Sequence, residues 1–178
     1  MTLSKLRLEE LDRVSPETFA EMRKNPIILV ADNIRSGHNI GAMFRSADAF
    51  AIEKIHICGI SPRPPHKEIN KTAIGATKTV NWEHFSRTED SLATLRKEGY
   101  EIIGVEQTDN STLLQNFKYE GNKVAIVMGN EVEGIGDDLM PLLDRAIEIE
   151  QFGTKHSINV SVCTGIVLWA LIGQLRHQ

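Results

Sequence analysis

Four short apolar runs constrain this chain most: IILVA (27–31), KIHICGI (54–60), YEIIGVE (100–106) and KVAIVMG (123–129). Each is strand-length and rich in β-branched residues, the pattern of a strand covered on both faces. Helical periods lie between them. NIGAMFRSADAF (39–50) puts Ile40, Met43, Phe44, Ala47 and Phe50 on one side, and RTEDSLATLRKEG (87–99) closes on Gly99. Strands alternating with helices predict an α/β domain with a mostly parallel sheet flanked by helices.

The remaining segments are read as follows. SPRPPHKEIN (61–70) carries three prolines and reads as a loop, while KTAIGATKTVNW (71–82) fits neither period. DDLMPLL (137–143) reads as a short helix, AIEIE (146–150) as a short strand, and Ser157 to Gln174 as the last helix. Residues 1–24 look helical, with Leu3, Leu6, Leu8 and Leu11 first, then Ser15-Pro16-Glu17 as N-cap, N1 and N2 of a second helix. The expected organisation is a short N-terminal helical appendage (1–25) and one α/β domain (26–178).

Composition narrows the function classes. No apolar run reaches the roughly 18 residues a membrane span needs, and the charged N-terminus has no signal-peptide block, so a soluble, cytoplasmic protein is expected. Cys58 and Cys163 sit in apolar runs without a CxxC and read as buried thiols. Six histidines form no ligand spacing, so no metal is expected. The chain's net charge is −4, yet residues 33–78 are net +4 by count, leaving −8 elsewhere. A local basic face on an acidic protein suits selective contact with phosphates, or is an ordinary solvated surface.

Open α/β sheets bind ligands beyond the carboxyl ends of their strands. Three such loops carry polar groups: Asp32 to Asn39, GNEVEGIG (129–136) and EQFGTKHSIN (150–159). GNEVEGIG lacks the lysine of a P-loop and the spacing of a dinucleotide fingerprint. Its glycines still let backbone approach a small ligand, and they also suit a plain tight turn. Arg45 falls within an apolar-periodic helix, where a guanidinium needs a partner. That partner is a carboxylate such as Asp48 or Glu131, or an RNA phosphate or reacting oxygen.

Three separated stretches then match one family in order and spacing. NIRSGHNIGAMFRSADAFAI (33–52), VAIVMGNEVEGIG (124–136) and IEIEQFGTKHSINVSVCTGIVLW (147–169) resemble the three motifs of the SPOUT-class RNA methyltransferases of the TrmH/SpoU family. The resemblance implies a deep C-terminal trefoil knot, an exception to the rule that chains do not thread loops. It implies S-adenosyl-L-methionine bound bent inside the knot, a homodimer with active sites at the interface, and methylation of a ribose 2′-hydroxyl in tRNA or rRNA. Carried over by position, Arg45 matches the catalytic arginine, Asn39 its motif partner, Glu131 the second-motif glutamate, and Ser157 and Asn159 the polar pair of the third. Gly129, Ile149 and Ile158 match cofactor-contacting positions, and Glu106, Gln107 and Gln151 are assigned to the same pocket. Many relatives carry proline where this chain has Glu150.

On this reading Ser157 and Asn159 open a buried helix because it starts at the cofactor and RNA site, and Ser157 also serves as its N-cap. The basic loop of Arg35, Arg63, Lys67 and Lys71 is the expected RNA contact. With no added RNA-binding domain in these residues, tRNA is expected ahead of rRNA. Two rivals remain: a non-catalytic RNA-binding or assembly module on the same fold, and a small-molecule enzyme using a nucleotide.

Overall fold

The computed structural model describes residues 3–175. Its frame is one sheet of seven parallel strands: β1 (Asn25–Asp32), β2 (Ile52–Cys58), β3 (Trp82–Phe85), β4 (Glu101–Val105), β5 (Thr112–Leu113), β6 (Val124–Met128) and β7 (Arg145–Glu148). The order across the sheet is β3-β2-β1-β6-β4-β7-β5. All four apolar runs form its centre, and both faces are covered, as a parallel sheet requires.

Alternate residues along β1 serve opposite cores. Ile27, Leu29 and Ala31 face one cluster with α2 (Gly37–Ala49) and α5 (Val160–Leu175), where Met43, Phe44, Val167 and Leu168 are buried. Ile28 and Val30 face the other, beneath α4 (Thr88–Lys97), with Leu92 and Leu95. The period of two in a strand thus assigns each residue to one layer. No helix among the described residues is long and apolar enough to cross a membrane.

Several expectations are corrected. The expected first N-terminal helix is only a 3₁₀ turn at Leu8–Leu11, with Leu3 and Leu6 exposed, so that among the described residues their side chains add no core to stabilise a longer helix. The second stands as α1 (Pro16–Glu21), where Ser15 Oγ accepts from Thr18 N–H at 3.2 Å. The proline loop ends sooner than expected, since α3 (Lys67–Ala73) begins inside 61–70. The segment 71–82 divides into the end of α3, a 3₁₀ turn at Ala76–Lys78 and the start of β3. Residues 137–143 hold only a 3₁₀ turn at Met140–Leu142, with Pro141 barring an amide donor. The two-residue β5 left no periodic signal. Residues 1–2 and 176–178, the outer ends of the two expected segments, lie outside the described residues.

His56 is buried between β2 and α4, with Nδ1 2.8 Å from Ser91 Oγ and its ring 4.7 Å from that of Phe85. Burial, reinforced by Lys54, lowers its pKa from 6.5 to about 4, so the fold holds it neutral. The unfolded chain therefore binds more protons between these values, and stability falls as pH drops from about 6.5 towards 4. The expected loss from His56 between pH 7.5 and 5.0 is about 2 kcal/mol. Urea unfolding should show His56→Leu losing that much less over the same interval; an unchanged pH difference would clear His56 of this role.

Candidate active site

A cavity of about 410 Å³ opens at the carboxyl ends of β4, β6 and β7. Its walls come from the loop after β4, the hairpin after β6, and the segment from Glu148 into the first turn of α5. The hairpin is closed by two backbone bonds, Asn130 N–H to Gly134 O at 3.0 Å and Gly134 N–H to Asn130 O at 3.1 Å. Asn130 Oδ1 also accepts from the amides of Val132 and Glu133, each at 2.9 Å. The glycines are required here. Gly134 has φ +70°, and a Cβ on Gly129 would overlap the Gly134 backbone.

Two side chains from the loop after β4 tie the walls together. Glu106 Oε2 accepts from Ile135 N–H and Oε1 from Gln107 N–H, both at 2.9 Å. Gln107 Nε2 donates to the His156 carbonyl at 2.9 Å. The loop after β4 thereby holds both the hairpin and the approach to α5.

The Glu131 carboxylate joins a further loop. It accepts from Arg35 N–H at 2.9 Å, Ser36 N–H at 3.2 Å and the Asn39 amide at 2.8 Å. Asn39 Oδ1 in turn accepts from Asn159 Nδ2 at 3.2 Å. Burial would raise the Glu131 pKa, but the hydrogen bonds from Arg35, Asn39 and Ser36 outweigh it and hold the group below its ordinary value. Glu131 is thus fixed as an anion that orders the loop into α2.

These contacts place the expected site residues. Glu106, Gln107, Gly129, Ile149, Gln151 and Ile158 all line the cavity, together with Glu131, Ser157 and Asn159. Asn39 stands behind Glu131 and Asn159, as the bridge between them. Ser157 is not the cap of α5. That role belongs to Asn159, whose Oδ1 accepts from Ser161 N–H at 3.0 Å and Val162 N–H at 3.4 Å, because the helix starts three residues later than expected. Glu150 accepts from Gln115 Nε2 at 2.7 Å and so fastens its loop to the 3₁₀ turn after β5.

The expected cations are more dispersed. Arg45 is exposed on α2, outside the cavity, and pairs with neither Asp48 nor Glu131. Asp48 accepts from Thr79 Oγ1 at 2.6 Å instead. Arg35 lines a second cavity. Arg63 Nη1 lies 2.8 Å from His84 Nδ1. Lys67 and Lys71 sit one turn apart on the exposed side of α3, which packs on α2.

Sequence reasoning also missed members of the wall. Glu148 lines it from the end of β7, and Cys163, expected to be buried, is half-buried there. Burial, with Glu106 nearby, pushes the Cys163 thiol up to about 11, which keeps it protonated and unsuited to nucleophilic work near neutral pH. A helical projection from Asn159 would have found it, since Cys163 lies one turn on.

The wall contains four glutamates (106, 131, 133 and 148) and no lysine or arginine. Such a cavity opposes a polyphosphate and suits a ligand with a positive centre. Among the described residues no group of three or more His, Cys, Asp or Glu side chains is placed to hold a metal ion.

Comparison with known proteins agrees with this geometry. Residues 26–169 match the SpoU rRNA Methylase family. A tRNA (guanosine(18)-2′-O)-methyltransferase of Borreliella burgdorferi is 25% identical over 162 residues, covering 91% of this chain and 73% of that protein. The 23S rRNA (guanosine-2′-O-)-methyltransferase RlmB of Neisseria meningitidis is 32% identical over 159 residues, covering 85% of this chain and 60% of that protein. The chain thus spans about three fifths to three quarters of their lengths. The crystal structure of the Aquifex aeolicus TrmH/SpoU tRNA modifying enzyme superposes with a TM-score of 0.80 at 25% identity, covering 91% of this chain and 81% of that one. A family match over most of the sheet, including every loop of the cavity, settles the classification: the chain belongs to the SpoU rRNA methylase family.

Proposed function

We propose that the chain transfers a methyl group from S-adenosylmethionine to a ribose 2′-hydroxyl of RNA, with tRNA the first substrate to test. The observation that carries this reading is the glutamate-lined cavity, free of lysine and arginine, built from loops that the family match covers. S-adenosylmethionine supplies a methyl group on a cationic sulfonium, a charge such walls favour. Gly129 and Gly134 permit close backbone approach, while Ile149 and Ile158 offer apolar surface. The choice of tRNA rests on the similarity to tRNA-modifying relatives of Borreliella burgdorferi and Aquifex aeolicus.

The ribose hydroxyl is a weak acid whose proton must leave as the methyl group arrives, and Arg45 is assigned one of two roles. It takes that proton after losing its own through an RNA phosphate, or it stays charged and stabilises the developing alkoxide through its planar fork while solvent takes the proton. Within one chain Arg45 does not line the cavity. The reading therefore includes a homodimer, with the active site completed at the interface. An apolar stripe supports this: Val162, Ile166 and Trp169 on α5 are 53, 38 and 72% exposed, beside the helix that carries Arg45. Asn39, Glu131, Ser157 and Asn159 are assigned to order the loops around the reacting ribose. Arg35, Arg63, Lys67 and Lys71 are assigned to RNA. The reading carries with it a cytoplasmic location and the family's knotted C-terminal topology.

The direct test uses labelled S-adenosylmethionine with total RNA from cells lacking this gene, digested to nucleosides. Label is expected in a 2′-O-methylnucleoside from the tRNA fraction; cofactor and RNA binding without label would support the non-catalytic rival. Arg45→Ala should lower turnover by about 100-fold or more, with cofactor affinity changed less than about twofold because Arg45 lies off the cavity wall. Arg45→Lys should fail similarly, and near-normal turnover in Arg45→Ala would remove the residue from the mechanism. For the dimer, sedimentation of Trp169→Glu should give a monomer at concentrations where the parent is dimeric. An unaltered dimer would place the interface elsewhere.

A further inference from the structure

Trp169 and Phe152 are the exposed aromatic rings among the described residues. Trp169 lies on the α5 stripe assigned to the dimer, whereas Phe152, 89% exposed, stands in the segment between β7 and α5. A single exposed apolar residue carries no meaning by itself. The placement of Phe152 sets it apart. Its neighbour Gln151 lines the cofactor cavity, as do His156, Ser157 and Ile158 further along the same segment. Phe152 does not line it, so the ring stands outside the rim, with its Cα about 3.8 Å from that of Gln151.

Residues 150–157 form no backbone–backbone hydrogen bond among the described residues. Their path is fixed instead by side chains near the two ends. Glu150 accepts from Gln115 Nε2 at 2.7 Å, and the His156 carbonyl accepts from Gln107 Nε2 at 2.9 Å. Between those ties Phe152, Gly153, Thr154 and Lys155 are all exposed. Lys155 is in no ion pair among the described residues. An open aromatic ring with an unpaired ammonium beside it, on unbonded backbone, is the combination that binds single-stranded nucleic acid: a base stacks on the ring and the cation meets the phosphates.

The chemistry of the cavity leaves one part of such a substrate without a place. Four glutamates and no lysine or arginine line the wall, so a nucleotide's phosphate is kept out of it. Only the ribose hydroxyl has to reach the methyl group. The base of the same nucleotide then lies outside the rim, drawn from its own stack, and loses that stacking unless the protein replaces it. Phe152 offers an apolar face at that rim. The ammonium of Lys155 beside it favours a polyanion over a second apolar surface.

We propose that Phe152 stacks on the base of the nucleotide whose ribose is methylated, while Lys155 contacts an adjoining phosphate. The proposal rests on the methyl-transfer reading above and adds the contact that positions the reacting nucleotide. Every base has a π-face, so this contact orients the nucleotide without choosing which base it carries.

The test uses labelled S-adenosylmethionine with the RNA fraction that accepts label, taken from cells lacking this gene. Phe152→Ala should lower kcat/KM for that RNA by about tenfold or more. Phe152→Leu should stay near the same low level and Phe152→Trp within about threefold of the parent, because a plain apolar side chain does not replace a ring. Parent-like turnover in Phe152→Ala, or full rescue by Phe152→Leu, overturns the proposal. Phe152→Ala should keep its S-adenosylmethionine affinity within about twofold and sediment as the parent does. A cofactor affinity that falls as far as kcat/KM would give the ring to the cofactor, and a loss of dimer would give it to the partner subunit; either result overturns the proposal. The RNA is then synthesised with an abasic ribose at the labelled position. Parent and Phe152→Ala should methylate it at equal rates, and a tenfold gap persisting there rules out stacking on that base. Lys155→Gln should lower the salt slope of log kcat/KM by about one; an unchanged slope removes the phosphate contact. No label from the parent in any RNA fraction defeats the methyl-transfer reading and the proposal together, whereas an active parent with an equally active Phe152→Ala defeats the proposal alone.

Discussion

The carboxylate of Glu131 is the contact on which the rest of the site depends. It takes two backbone amides from the loop after β1 and the side-chain amide of Asn39. Asn39 then receives the amide of Asn159, the residue that caps α5. One anion and two asparagines hold the loop after β1 to the hairpin after β6, 92 residues on by the Asn39–Glu131 bond, and to the segment before α5, 120 residues on by the Asn39–Asn159 bond. Hydrogen bonds to a charged acceptor are among the stronger ones available to a protein. Their geometry also sets where the backbone of each loop can pass, and hence the shape of the cavity wall.

Charge is distributed to match. The cavity beside Glu131 carries glutamates and no lysine or arginine, although the segment 33–78 is net positive. The basic residues lie outside that wall, on α2, α3 and β2 and in the loops and turns near them. A cation-favouring pocket beside a phosphate-favouring surface is the separation expected if a sulfonium and an RNA backbone meet at one site. A single uniform potential would repel one of the two. The second cavity continues the pattern, with its acidic floor at Asp32 and Arg35 at the wall.

Much of the architecture was legible in the sequence because buried parallel strands leave an unmistakable mark. Both faces are covered, so Ile27 to Ala31 and Val124 to Met128 are apolar without interruption. The helices α2 and α4 were legible through their periods, and α4 through the glycine that follows it. Segments stabilised by few contacts escaped. β5 has two residues, α3 starts directly behind a proline-rich turn, and Leu3 and Leu6 of the expected N-terminal helix are exposed. In each case the deciding interactions are not local, so no window of sequence contains them.

The site divides in the same way. The sequence by itself determined which residue types stand at each loop, and through them the family. It marked the loop of Glu106 and Gln107 by its place after a strand, and Gly129, Glu131 and Asn159 by the motif resemblance. Only the tertiary structure decided their partners. It gave the cap of α5 to Asn159 rather than Ser157, left Arg45 outside the cavity wall, and tied Asp32 to Thr88 and Asn33. The physical reason is that apolar periodicity is fixed by each element's own geometry. A hydrogen bond between loops depends on where distant strands lie in the sheet, and β1, β6 and β4 become neighbours only once the sheet is assembled.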